Sequence, residues 1–152
     1  MAIARVNARL QQMGMQVWFD EERMEGNIVD QMCKGIDESV VVAVFITERY
    51  VAKVSGENAG DNCKKEFNYA TQRKTNARMV PVVMEPRMQD PSKWTGAVGM
   101  ELGPQLYTSL VSDAPAEFAR GVQQLFDAIN AIVARDGGTP VAAAAAALPL
   151  LF

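Results

Sequence analysis

The run Val40-Val41-Val42-Ala43-Val44-Phe45-Ile46 constrains this chain more than any other stretch. It is apolar throughout and mostly β-branched, so it leaves no face for water, as expected of a strand covered on both sides in a parallel sheet. Parallel strands need long crossover connections, usually helical, so helical patterns should flank the run. Upstream, Ile3, Val6, Leu10 and Met13 fall on one face of an amphipathic helix over Ala2 to Met13, with Gly14 as its C-terminal cap. Met15 to Phe19 reads as a short strand, and Asp20 to Gly26 as a polar loop whose glycine can take positive φ. Ile28, Val29, Met32, Cys33 and Ile36 define a second helix that Asp37-Glu38-Ser39 ends.

Downstream, Thr47 to Lys53 can start a helical turn, and Ser55 to Gly60 is a flexible insertion. Asp61 or Asn62 can then cap a helix on which Cys63, Phe67 and Ala70 recur at i, i+4 and i+7. Glu66 sits in that helix's first turns, where a carboxylate gains from the helix dipole, and its neighbours hold it near the apolar wall. Met79 to Met84 gives another buried strand, although the missing donor of Pro81 points to an edge or a bulge. Pro86 to Gly103, with several prolines and glycines, reads as a long loop, and Leu106 to Val111 as a short last strand. Asp113 then caps a helix with Pro115 in its first turn, and Phe118, Val122, Leu125, Phe126, Ile129, Ile132 and Val133 form its buried stripe before Gly137-Gly138. Such alternation predicts a doubly wound α/β sheet with ligand chemistry at the carboxyl ends of its strands.

Composition removes several classes of function. The length of 152 residues, 49% of them hydrophobic, suits one domain with a proper core. A net charge of −3 and the lack of an arginine-rich face argue against a nucleic-acid partner. With no histidine and only Cys33 and Cys63, neither a metal site, a disulfide framework nor a histidine-dependent triad is expected. The chain opens on an amphipathic helix and not on a signal peptide, so a cytoplasmic protein with reduced thiols and no membrane partner is expected.

The pieces Val17-Trp18-Phe19-Asp20, Met24-Glu25-Gly26, Gly35-Ile36-Asp37-Glu38-Ser39, Val42 to Thr47 with Tyr50, and Cys63-x-x-Glu66, in this order and spacing, resemble a TIR domain. The resemblance spans roughly Ala2 to Arg135 and lies closer to the NAD-cleaving type than to the Toll-receptor type. It implies a flavodoxin-like sheet. It also implies that the chain lacks the family's first central strand, which commonly reads Phe-Ile-Ser-Tyr. Residues 1–136 would then be an N-terminally truncated TIR domain and residues 137–152 a Gly/Ala-rich apolar tail, disordered or a loosely docked helix. A sharper expectation is that Leu148 to Phe152 covers the exposed sheet region.

In catalytic members the glutamate of the last motif cleaves NAD between nicotinamide and ribose, and by position that residue is Glu66. The resemblance further places Asp20, Arg23, Met24, Ile28 and Cys63 at the substrate, with NAD as substrate and no retained cofactor. It makes the loop from Asp20 to Ile28 a surface for self-association or for other TIR domains. The other reading is a non-catalytic TIR scaffold module in signal transduction. Without the resemblance, Glu66 is a solvated first-turn glutamate, Cys63 a small core residue, Trp18 a core residue more readily than a stacking platform, and Trp94 either an anchor or an exposed contact.

Overall fold

The computed structural model describes residues 2–18, 28–136 and 144–148. Helix α1 (Ala2–Gln12) leads into strand β1 (Gln16–Trp18) through Gly14, whose φ of 97° lets Met15 N–H reach back to the Leu10 carbonyl at 3.1 Å. Helix α2 (Ile28–Glu38) precedes β2 (Val41–Ile46), which is buried over its whole length. Helix α3 (Glu48–Ser55) follows, capped by Thr47, and then α4 (Asn62–Lys74). Strand β3 (Met79–Val83), helix α5 (Gly96–Leu102), strand β4 (Thr108–Ser109), helix α6 (Pro115–Arg135) and strand β5 (Ala144–Leu148) complete the order.

The sheet is parallel throughout, in the order β1-β5-β2-β3-β4. Its pleat sorts the core. Val42, Val44, Ile46, Met79 and Val83 pack on one face with buried residues of α2, α3, α4 and α5, while Val41, Ala43, Phe45, Val80 and Val82 pack on the other with those of α1 and α6. Each large side chain buried this way adds about 1.5–3 kcal/mol, which is why an all-apolar strand suits the middle of a doubly wound sheet. The doubly wound parallel α/β fold read from the sequence is therefore the observed one. Among the described residues no helix is long and apolar enough to cross a membrane.

Four expectations are corrected. The place between β1 and β2, where the sequence resemblance implies a missing central strand, is filled by β5: Ala144, Ala145 and Ala146 register with Gln16, Val17 and Trp18, and Ala145 to Leu148 with Val41 to Val44. Residues 144–148 are thus a strand in the sheet interior and neither disordered nor helical. The backbone groups of β1 and β2 require partners away from water, a demand that outweighs the weak strand preference of alanine. Leu148 belongs to this strand, whereas residues 149–152 lie outside the described ones.

Strand β3 lies inside the sheet despite Pro81. Met84 N–H bonds to Ile46 on the β2 side while the Val83 carbonyl accepts from Leu110 on the β4 side, so alternate residues address alternate neighbours. Pro81 shares the side of Val83, where pairing with β4 begins only at Val82, so its missing donor disrupts no ladder. The segment from Pro86 to Gly103 is not a long loop but 3-10 turns at Pro86–Gln89 and Pro91–Lys93 followed by α5. Trp94 anchors it: the ring is buried, stands edge-on to Tyr107 at 6.0 Å, and donates from Nε1 to the Met88 carbonyl at 2.8 Å. Finally, α6 is capped at Ala114 and not by Asp113; Pro115 needs no donor there, and Ser112 Oγ accepts from Ala114 N–H at 3.2 Å.

Candidate active site

Helix α4 owes its start to Asp61, whose carboxylate accepts from the N–H groups of Cys63 at 2.8 Å and Lys64 at 3.3 Å. Lys53 lies 4.0 Å from the same carboxylate, and Lys64 Nζ donates to the Gly56 carbonyl, so α3, its following turn and α4 are tied together. With the first turn held, Cys63, Phe67 and Ala70 point into the core as their spacing predicts. Glu66 is carried inward with them and is only 2% exposed. Burying a carboxylate costs solvation, and chains retain such groups where they are hydrogen-bonded or used.

Glu66 also faces a hollow of about 180 Å³ between α2 and α4. Val29, Met32, Cys33 and Ile36 form the α2 wall, with Lys65, Glu66 and Tyr69 opposite. In chain order α2 comes after β1, and α4 comes after β2 and α3; ligands of doubly wound sheets bind at the carboxyl ends of the strands. Farther along, the helices are joined by Asp37, which accepts from Tyr69 Oη at 2.7 Å and from Arg73 Nε at 3.0 Å. The Tyr69 hydrogen bond, and after it Arg73, holds the Asp37 carboxyl below the usual range. This clasp fixes the groove's width at one end and leaves the start of α2 as its other end.

Of the residues singled out in the sequence, Glu66 lies in the groove, while Cys63 lies in the core beside Tyr50 and Phe67 and does not line it. Burial and the neighbouring Glu66 push the Cys63 thiol up to about 11, so it stays protonated and unreactive. Asp20, Arg23 and Met24 lie outside the described residues, and Ile28 is described as the first residue of α2. The spacing of Val29, Met32, Cys33 and Ile36 predicts an ordinary apolar stripe and not a groove wall. Val29 stands out in that stripe, since it is 40% exposed and borders the hollow. Lys65 and Tyr69 carried no signal of their own.

A larger crevice of about 330 Å³ at the β4 edge is bordered by Gln89, Ser109, Ser112, Glu117, Arg120 and Gln124. Its ionisable residues, Glu117 and Arg120, are exposed, so it offers no carboxylate shielded from water. Of these two hollows, the α2–α4 groove is the one that holds a buried ionisable group.

Comparison with curated proteins finds no match, and comparison with solved structures finds none either. A family model described as TIR domain matches residues 1–126, which include α1, the sheet from β1 to β4, the groove and most of α6. The chain belongs to the TIR domain family.

Proposed function

We propose that this TIR domain cleaves NAD at the bond between nicotinamide and ribose, with Glu66 as the essential carboxylate. The observation that carries the reading is a carboxylate 2% exposed that nevertheless borders a hollow between α2 and α4. In this reaction the C1′–N bond breaks, its electron pair stays on the ring nitrogen, and neutral nicotinamide leaves without needing a proton. Water then adds to C1′ and gives up a proton. The cation-like ribose of the transition state is stabilised by one ionised carboxylate in a water-poor site, so a chain without histidine suffices. Asp20, Arg23, Met24 and Ile28 would contact the substrate, and self-association would complete the site between neighbouring chains in the cytoplasm.

A second reading is a TIR scaffold that signals by self-association or by binding other TIR domains through residues 20–28 and α4. The size of the groove favours it, because about 180 Å³ is below the roughly 300–1,000 Å³ of most small-molecule sites. Mixing the protein with NAD over a range of protein concentrations, and following free nicotinamide, separates the two. Release that climbs more steeply than concentration supports a hydrolase completed by self-association. No release at any concentration leaves the scaffold.

A further inference from the structure

Tyr69 belongs both to the α2–α4 groove and to the clasp at its end. Among the described residues that border the hollow it alone is aromatic: Val29, Met32, Cys33 and Ile36 lie on α2, and Lys65 and Glu66 share its own helix. The clasp does not depend on a ring. Arg73 ties the Asp37 carboxylate to α4 at 3.0 Å and Lys74 Nζ donates to the Asp37 carbonyl at 3.4 Å, so what Tyr69 adds beyond a further donor is an aromatic surface on the groove wall. That surface is held by groups that do not border the hollow. The hydroxyl donates to Asp37 at 2.7 Å, and the Arg73 guanidinium carbon lies over the ring, 5.7 Å from its centroid. A ring fixed before a ligand arrives loses little side-chain entropy when another ring stacks on it.

We propose that Tyr69 is the platform on which the flat nicotinamide ring of the substrate stacks, and so a residue that sets specificity for an aromatic leaving group. This rests on the reading of the groove as the NAD site. Size supports it: sites that enclose a whole ligand run to roughly 300–1,000 Å³, so about 180 Å³ suits one ring-sized part of a dinucleotide and leaves the rest outside. Chemistry favours the same part, because the α2 wall is Val29, Met32, Cys33 and Ile36, which offer no strong donors for phosphates or for a second ribose. Spacing agrees. Glu66 and Tyr69 are three residues apart on α4, where side chains are neighbours with Cβ atoms about 5–6 Å apart, and both border the hollow. A ring seated on Tyr69 therefore leaves its bond to ribose beside Glu66. Stacking holds the ring before and after that bond breaks, so Tyr69 acts on affinity more than on rate.

The test uses the whole chain and compares Tyr69→Phe with Tyr69→Leu, which both lack the hydroxyl bond to Asp37 and differ in the ring. If Tyr69→Leu does not fold, Tyr69→Met takes its place. The probes are two neutral amides of similar size, flat nicotinamide and non-aromatic cyclohexanecarboxamide. Binding is followed by the ¹³C-labelled methyl resonance of Met32, which borders the hollow, assigned with Met32→Leu. Going from Phe to Leu at position 69 is expected to weaken nicotinamide roughly threefold to tenfold more than cyclohexanecarboxamide, the scale of one aromatic pair. With NAD, the same step should raise KM by a similar factor and change kcat less. Equal weakening of the two amides overturns the proposal, because a groove that is merely damaged does not distinguish them. So does a Met32 resonance that nicotinamide leaves unmoved in wild type. The selective loss of nicotinamide binding in a protein whose wild type releases none from NAD supports the platform and fails the hydrolase reading alone.

Discussion

Removing β5 is the sharpest perturbation of this fold. Residues 144–148 pair in three register positions with β1 and in four with β2, seven in all. Each position of a parallel pair brings about one ladder hydrogen bond, worth about 0.5–1.5 kcal/mol net. The strand therefore contributes on the order of 4–10 kcal/mol, against about 5–15 kcal/mol for the stability of a whole domain. A chain ending at residue 143 should lose its cooperative urea transition, followed by circular dichroism and by tryptophan fluorescence. Ala146→Pro is a milder version: it removes one donor from the position that faces both Trp18 and Val42 and should lower stability by about 1–3 kcal/mol. A truncated chain with the midpoint and steepness of wild type would refute the reasoning, since β1 and β2 would then be stable with no strand between them.

The Asp37 clasp sets a pH dependence. Because the folded carboxyl lies below its ordinary value of about 3.9, the stability it confers is fully present above that pH and is lost as pH falls through the folded value. Asp37→Asn should flatten this part of an acid unfolding profile, and an unchanged acid slope would count against the clasp. The two thiols should also differ. Cys63, raised to about 11, carries only about one thiolate in a thousand at pH 8, so iodoacetamide should label the half-buried Cys33 first, as read by peptide mass. Cys33 lines the groove, and NAD should slow its labelling if that groove is the substrate site.

The legible parts of the fold were those that local patterning dictates. Val41 to Ile46 is a central strand because no side chain in it tolerates water, and α4 starts where Asp61 can cap it. The interior place of Ala144–Leu148 was illegible because a polyalanine segment has neither a strand period nor a strong strand preference; only the vacancy between two distant segments selects it. Trp94 gave no sign of its partner, since the Met88 carbonyl becomes its acceptor only after the 3-10 turns have formed. Its place between Cys63 and Phe67 puts Glu66 near the apolar wall, but as a residue of its own it reads as a solvated glutamate, and only the packed helices bury it. The hollow beside it depends on how α2 and α4 pack against each other, which no periodicity in either helix encodes. Tyr50 was seen as part of a motif, but its lack of a partner is a property of the packed core alone.

The central claim is that a buried carboxylate on α4 performs the chemistry of this domain. It is tested most directly by the initial rate of nicotinamide release from NAD by wild type and by Glu66→Gln, two proteins of nearly equal shape, at matched concentration and matched circular dichroism. The expected result is steady release by wild type and a loss of at least about a hundredfold in Glu66→Gln, the scale on which a single group stabilising a transition state acts. Release at the same rate by both proteins would contradict the account, because the bond would then be breaking without the one side chain held for that purpose.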